Sequence, residues 1–469
     1  MALLRKINIK AESEAGAGIE ANATGNSGQT VNKKSSSANV KSSSDLFFSG
    51  ILWKFLFYVS AFLLNAFIAH KLGAADSGRF YYLLNNLSFA VLVLSLGFDA
   101  AVNYYNGAGE IGRNQLFTLS AFFCLAISIV FIIVYFFATQ FSIIPGHTFN
   151  SYIICYVAGS LSFNVFTAFY YSEHKHIVPN LIMTVCNVLL ILLLPGVLYN
   201  NTISNTAFFH IYFSLNLIAA SLTIILLYIH GARYSTLSLK NILATGIMKF
   251  SLQSFVSALL FTLLLRCDYW LVNYYCTNAD TGNYLQTSKF VQLVMLLPSL
   301  ASFSLFPLIV RSIVSESGIE LKLIRLVNAY IYISLLICIA LIIAGHLLFP
   351  FIYGNTYNKM YKIFLLLIPG IISMAATYPL NSYFAAKKMI TTNLLGIIIS
   401  ITILITADVL LIPHFAVYGA AIGCSLGYCS YFFFLLYHFK KQVKFRSTEI
   451  IELKLFYAEL KSALQKWYS

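Results

Sequence analysis

Long apolar stretches separated by short polar segments dominate the chain. Twelve of these stretches come close to the ~20 residues that a helix needs to cross a hydrocarbon core about 30 Å thick. They lie at about 46–69, 80–102, 116–138, 151–171, 177–199, 207–229, 247–275, 284–310, 326–350, 361–384, 390–412 and 416–439. The pattern therefore predicts an all-α integral membrane protein with twelve transmembrane helices.

Two short blocks of nearly the same sequence indicate an internal duplication. Ala75–Phe80 reads ADSGRF, and Ala279–Tyr284 reads ADTGNY. A second pair of similar segments, Tyr170–Leu181 and Tyr383–Leu394, follows in the same order at a similar spacing. Two collinear matches predict two six-helix halves. Because six is an even number, both halves should have the same orientation, with a pseudo-two-fold axis along the membrane normal.

The pattern divides the chain into five segments, which differ in composition. The first segment is rich in Ser, Asn and Gly and has little that could bury surface, so disorder is expected there. The last repeats apolar residues at helical spacing, which predicts an amphipathic helix on the inner leaflet. The segments are a disordered cytoplasmic leader at 1–45, a first six-helix bundle at 46–229, a cytoplasmic linker at 230–246, a second six-helix bundle at 247–439 and a cytoplasmic amphipathic tail at 440–469.

The charged residues are few and mostly basic, and their positions predict the orientation. The chain is 59% hydrophobic and 10% charged, with a formal net charge of +14. Most Lys and Arg residues fall in the leader, the tail and alternate loops, which the positive-inside rule assigns to the cytoplasm. Both termini should therefore be cytoplasmic, and the basic balance reflects topology and anionic lipid, not nucleic acid. The two repeated blocks then lie at the external face, where Gly and Asp are expected as turn formers.

The loops between the spans are too short to hold an extramembrane catalytic domain. None contains a nucleotide-binding glycine loop, a metal-ligand cluster or a nucleophile beside a base. The sequence therefore predicts that the protein is not an enzyme and has neither a metal site nor a bound cofactor, while coupling to a proton or sodium gradient stays open. A transporter needs only spans and a lumen, and duplicated halves that rock about a shared site are a common transporter plan.

Ionisable residues inside the predicted spans are the first candidates for function, because a charge in the hydrocarbon core is costly unless it faces water or a partner. Lys54 lies in span 1, and Arg266 and Asp268 lie in span 7. Arg266 and Asp268 are two positions apart, so on a helix they point about 200° away from each other and each needs its own partner. Snorkelling to the lipid headgroups is the alternative for Lys54.

Four further polar residues are secondary candidates for the lumen. Asp99 and Asp408 lie near the predicted ends of spans 2 and 11, where a carboxylate alternatively caps a helix close to water. Asn65 and Gln253 are amides inside spans, and an amide there either binds sugar hydroxyls or bridges two helices.

Four stretches, in order along the chain, carry a family resemblance. They are Ala69–Phe80 with Leu96–Asp99, Arg266–Val272 with Gly282–Tyr284, Leu297–Pro307, and Phe351–Tyr357 with Ile412–Ala421. They resemble the polysaccharide-biosynthesis flippases, the O-antigen translocases of the multidrug/oligosaccharidyl-lipid/polysaccharide exporter superfamily. Two features depart from the family pattern: His414–Ala416 stands where Lys-Phe-Gly is commoner, and the long leader is unusual.

The resemblance implies a flippase of the bacterial inner membrane. Such a protein moves an undecaprenyl-pyrophosphate-linked oligosaccharide repeat unit, for O-antigen or a related surface polysaccharide, from the cytoplasmic to the periplasmic face by alternating access. Lys54 and Arg266 are then candidates for the pyrophosphate, and Asp268 for orienting Arg266 or for titrating with a coupling ion. The implied partners are the lipid-linked oligosaccharide, membrane lipids and other membrane proteins of polysaccharide assembly, and not nucleic acid.

Two other functions stay open at the level of sequence. One is a drug or cation antiporter of the same superfamily, which would need carboxylates that respond to protons or sodium. The other, more remote, is a membrane polysaccharide polymerase, for which the short loops offer little room.

Overall fold

The computed structural model describes residues 43–141, 150–197, 206–237, 245–314 and 319–443. Within these ranges the chain forms twelve α-helices and no strand, so the predicted all-α class is confirmed. Most of the predicted leader and of the predicted amphipathic tail lies outside the described residues. The helices are α1 Ser43–Ser95, α2 Phe98–Ala108, α3 Arg113–Gln140, α4 Ser151–Ser172, α5 Ile177–Val197, α6 Thr206–Ile229, α7 Ile247–Tyr275, α8 Asn278–Val314, α9 Ile319–Tyr353, α10 Met360–Ala386, α11 Ile390–Phe415 and α12 Val417–Gln442.

Ten segments of the described chain are long and apolar enough to cross a membrane. One of them, Leu52–Ser95, holds most of the first two predicted spans. The two spans belong to one helix, α1, which bends between them at Gly73. Gly73 adopts φ 73° and ψ 174°, a conformation that strains any residue with a side chain. Helix α8, with 37 residues, is also long enough to cross a membrane. We call residues 46–229 the first half and residues 247–439 the second half; that the two are symmetric stays a prediction.

The second predicted span is interrupted, which the apolar pattern did not indicate. Leu96 and Gly97 both have positive φ, and α2 begins directly after them. The hydroxyl of Ser251, on α7, donates to the freed carbonyl of Leu96 at 2.6 Å. A Cβ atom on Gly97 would lie 2.5 Å from the carbonyl oxygen of Ser251. The break therefore lets the start of α7 pack directly against the backbone of the first half.

The two repeated blocks are helical and touch each other, so their predicted role as turns is wrong. A Cβ atom on Gly282 would lie 1.9 Å from the carbonyl oxygen of Ala74, and one on Gly78 would lie 2.2 Å from that of Asn278. These glycines have no positive φ; they allow two helices to meet backbone to backbone. Glycine thus has two roles in this part of the chain: it permits close helix contact at Gly78 and Gly282, and it permits the bend at Gly73.

The segment between α9 and α10 covers this contact. The hydroxyl of Tyr357 bonds to that of Ser77 and lies 3.3 Å from the carbonyl oxygens of Ala69 and Gly73. The backbone N–H of Ala74 donates to the Thr356 hydroxyl at 3.1 Å. We call Gly78, Gly282, Thr356 and Tyr357 the clasp; the charge distribution predicts that it faces the outside.

Further contacts join the last turn of α2 to the start of α7 and the residues just before it. The Tyr105 hydroxyl donates to the carbonyl oxygen of Thr245 at 2.9 Å, and the rings of Tyr104 and Phe250 stack with centroids 4.8 Å apart. A polar space lies between these contacts and the clasp, and the charged side chains of Arg266 and Lys289 line it.

Candidate functional site

Two cations of the second half share one cavity between the halves. Arg266 on α7 and Lys289 on α8 line a space of about 100 Å³ together with Tyr81, Asn85 and Ser88 of α1. Arg266 lies nine residues before the end of α7, and Lys289 eleven residues after the start of α8. At ~1.5 Å per residue, both cations are roughly 15 Å from the short connection between these helices. They therefore sit at a similar depth within the membrane-spanning part.

Amide oxygens of the first half hold both cations. The Lys289 ammonium donates to Asn65 Oδ1 at 3.2 Å and lies 3.2 Å from the centroid of the Tyr81 ring. The Arg266 guanidinium makes a long contact of 3.5 Å with Asn85 Oδ1. Within the described ranges, no carboxylate forms an ion pair with either cation. Since amides and an aromatic face leave the positive charge uncompensated, the pair is suited to an anionic ligand.

Three further cavities adjoin this one, and neighbouring cavities have wall residues in common. Lys289 and Asn65 both line the cavity of about 230 Å³, and Asn65 and Tyr156 both line the cavity of about 190 Å³. The largest, about 530 Å³, is lined by first-half residues that include Tyr156, Ser88 and Asp99. We call the four cavities together the lumen. It runs from the cations into the first half.

The sequence interpretation missed Lys289. Lys289 lies five residues after the predicted start of span 8 at 284, where a lysine side chain can reach the lipid headgroups. In the structure α8 begins earlier, at Asn278, so Lys289 lies deeper in the helix. The ADTGNY block, Ala279–Tyr284, belongs to α8. A predicted helix that included this block would have placed Lys289 more than two turns from the helix start.

Two carboxylates of the second half are buried away from the lumen. Asp268 is 1% exposed and accepts a hydrogen bond from the Tyr284 hydroxyl. Asp408 on α11 is 0% exposed and interacts electrostatically with Asp268. A Cβ atom on Gly423 would lie 2.1 Å from an Asp408 oxygen, so glycine makes room for the carboxylate. Helix α11 continues to Phe415, and the alternative that Asp408 caps a helix near water is therefore wrong.

The carboxylate pair is short of hydrogen-bond donors. Among the described residues, Asp268 Oδ1 and both oxygens of Asp408 have no hydrogen-bond partner. Asp268 and Asp408 interact electrostatically, and two bare negative charges in a low-dielectric region repel each other. Arg266 and Asp268 contact different partners, Asn85 and Tyr284, as their spacing on α7 predicts.

The remaining candidates lie apart from the two cations. Lys54 lines none of the four cavities. Its positive charge acts on His176, whose pKa is lowered by burial, by His174 and by Lys54. Asp99 lies in the first turn of α2 and lines the largest cavity. Gln253 is exposed on α7 and lines none of the four cavities.

The sequence matches no protein-family model, and no similar curated protein was found. Solved structures do match. The lipid II flippase MurJ in an inward closed conformation gives a TM-score of 0.66 at 13% identity, over 88% of this chain and 91% of MurJ. An inward-facing multidrug resistance MATE family transporter of the MOP superfamily gives 0.64 at 14% identity, over 83% and 94%. A mutant of the Vibrio cholerae MATE transporter VcmN gives 0.59 at 17% identity, over 87% and 98%.

This chain has the fold of MurJ and of the MATE transporters. The likeness extends over most of each matched chain, so the whole helical body and not one bundle carries it. At these identities the likeness concerns the fold alone. A lipid II flippase and multidrug transporters have this fold in common, so the fold by itself assigns no function to this chain.

Proposed function

We propose that this protein is a flippase for an undecaprenyl-pyrophosphate-linked oligosaccharide, the repeat unit of O-antigen or a related surface polysaccharide. The observation that carries the proposal is the pair of cations, Arg266 and Lys289, which face the lumen with amides as partners. The substrate would move by alternating access from the cytoplasmic to the periplasmic face of the bacterial inner membrane, with both termini cytoplasmic.

The chemistry of the substrate matches this lumen. A pyrophosphate is an anion with several acceptor oxygens, and guanidinium and ammonium groups bind such oxygens through charge-assisted hydrogen bonds. Leaving water costs an anion several kcal/mol, and two nearby cations in a low-dielectric space offset that cost. The prenyl tail needs no polar site, because it can stay in the lipid.

A drug or cation antiporter is the second candidate, and the buried pair of Asp268 and Asp408 favours it. Neither carboxylate lines the lumen, however, whereas two cations do, and these repel a cationic drug. We assign the carboxylate pair instead to coupling. A proton or a sodium ion bound between Asp268 and Asp408 would couple translocation to an ion gradient, since α7 carries both Asp268 and the lumen cation Arg266.

A complementation experiment tests the flippase proposal. Cells that lack the gene should regain surface polysaccharide with the wild-type protein, but not with Arg266→Gln or Lys289→Gln, and should accumulate lipid-linked oligosaccharide instead. Lys249→Gln is the matched control, because Lys249 is exposed on α7 and lines none of the four cavities. Membrane levels of each variant are compared by immunoblot. Normal polymer in cells that carry the Arg266→Gln protein would contradict the proposal.

A further inference from the structure

The largest part of the lumen lies within the first half and has a lining unlike that of the cation cavity. Its volume of about 530 Å³ falls in the range of small-molecule sites, about 300 to 1,000 Å³. Helices α1, α2, α4, α5 and α6 all contribute to its wall. The polar residues of the wall include Ser88, Asp99, Asn103, Ser160, Asn164 and Thr167. These side chains are mainly amides and hydroxyls, which both donate and accept hydrogen bonds.

Part of this polar lining has hydrogen-bonding capacity to spare. Thr167 is 6% exposed, and its hydroxyl has no partner among the residues that the structure describes. Asn103 and Asn164 are exposed side chains on the cavity wall, and each amide offers two N–H donors and a carbonyl acceptor. A buried hydroxyl without a partner is unfavourable, so a polar occupant would stabilise this wall.

The charges of the lumen differ between its two parts. The largest cavity has no Lys, Arg or His among its described lining residues, and it has one carboxylate, Asp99. A phosphate would be repelled by Asp99 and attracted to Arg266 and Lys289. Ser88 lines both this cavity and the cation cavity, so the two spaces are adjacent.

Aromatic rings complete the first-half wall. Phe57, Phe163 and Tyr171 line the same cavity as the amides. Sugar rings present hydroxyls at their edge and weakly positive C–H groups on their faces, and the negative face of an aromatic ring attracts such C–H groups. Amides for the hydroxyls and aromatic rings for the C–H faces together suit a neutral sugar better than a drug cation or a phosphate.

We propose that this first-half cavity is the carbohydrate subsite of the lumen. Asn103, Asn164 and Thr167 hydrogen-bond the sugar residues, while Arg266 and Lys289 hold the pyrophosphate. This inference rests on the proposed function and adds the orientation of the bound substrate. The pyrophosphate lies between the halves, and the sugars lie in the first half.

Binding of two lipids to the purified protein tests the inference. One probe is the lipid-linked oligosaccharide extracted from cells that lack the gene, and the other is undecaprenyl pyrophosphate without sugar. The test variants are the double substitution Asn103→Leu with Asn164→Leu, and Thr167→Val. Thr223→Val is the matched control: its hydroxyl donates to the Ala219 carbonyl at 2.7 Å, and it does not line the cavity.

The wild-type protein should bind the sugar-bearing lipid at least about tenfold more tightly than the bare carrier, an advantage equal to one or two net hydrogen bonds. The asparagine double variant should lose this preference and keep its affinity for the bare carrier. Thr167→Val should reduce the preference, and Thr223→Val should not. Arg266→Gln should weaken the binding of both lipids.

Several outcomes would overturn the inference, and they separate it from the proposed function. A double variant that keeps the preference would overturn the subsite, and so would one that loses both lipids equally while its unfolding temperature is unchanged. Equal binding of both lipids by the wild-type protein would remove the subsite but leave the flippase proposal standing. Binding of neither lipid would overturn both. If leucine prevents folding, Asn164→Gln moves the amide while keeping its polarity and gives the same comparison.

Discussion

Single residues decide the electrostatics of the lumen. Lys289 and Arg266 come from the second half, and the amides that hold them, Asn65 and Asn85, come from the first. A carboxylate in the place of either amide would neutralise a cation and leave less attraction for an anion. The apolar pattern singled out Arg266 and Asn65 because polar residues inside spans are rare, but it could not pair them with partners from other helices.

Charge rather than size should matter at position 289. Lys289→Arg keeps the cation and should retain most of the translocation, whereas Lys289→Gln should lower the rate about tenfold or more, since a hydrogen bond to a charged group contributes roughly 1.5 to 3 kcal/mol. Translocation of lipid-linked oligosaccharide into spheroplasts or vesicles measures the effect. Equal rates for the arginine and glutamine variants would show that the charge is not used.

At Asp408, removal of one carboxylate should uncouple the protein without unfolding it. Asp408→Asn relieves the repulsion with Asp268 and keeps the side-chain volume, so the unfolding temperature should be the same or higher. The dependence of translocation on a proton or sodium gradient should disappear. Unfolding and transport are measured with and without the gradient ion. A lower unfolding temperature together with unchanged ion dependence would contradict the coupling role.

At the scale of helices, the sequence predicts the number of helices more reliably than the contacts between them. The apolar runs predict the membrane class and most of the helices, because burial in lipid requires each run. They do not reveal the break at Gly97 or the helical state of Gly78 and Gly282. Glycine serves turns and close helix contacts alike, and only the position of the neighbouring backbone distinguishes the two. Those neighbours are 154 to 208 residues away in the sequence.

A side chain at Gly282 should force the clasp open. Gly282→Val places its Cβ atom against the carbonyl oxygen of Ala74, and overpacking of this kind costs about 1 to 3 kcal/mol. In a cysteine-free background with Ser77→Cys, labelling of that cysteine by an impermeant maleimide added outside the cell should increase. Gly196→Val is the control, since a Cβ atom on this helical glycine has no neighbour within 4 Å. Unchanged labelling would show that the clasp is not an external gate.

For the whole molecule, the repeated blocks are the sequence feature that reaches furthest. A Cβ atom on Gly78 would lie 2.8 Å from the backbone nitrogen of Gly282, and one on Gly282 would lie 3.2 Å from that of Gly78. A reciprocal contact of this kind is expected where a two-fold axis passes between matching residues. The duplication predicted such an axis; the symmetry of the complete halves stays a prediction. The carbohydrate cavity has no such signal, because its residues come from five helices and none of its spacings is distinctive.

The central proposal for the whole molecule is that a pyrophosphate-linked oligosaccharide crosses the membrane past Arg266 and Lys289, with the clasp as the external gate. The most direct measurement is translocation of extracted lipid-linked oligosaccharide across proteoliposomes that contain the purified protein. The wild-type and Lys249→Gln proteins should translocate it, and the double variant Arg266→Gln with Lys289→Gln should not, at equal reconstitution. Undiminished translocation by the double variant, or none by the wild-type protein, would contradict the account.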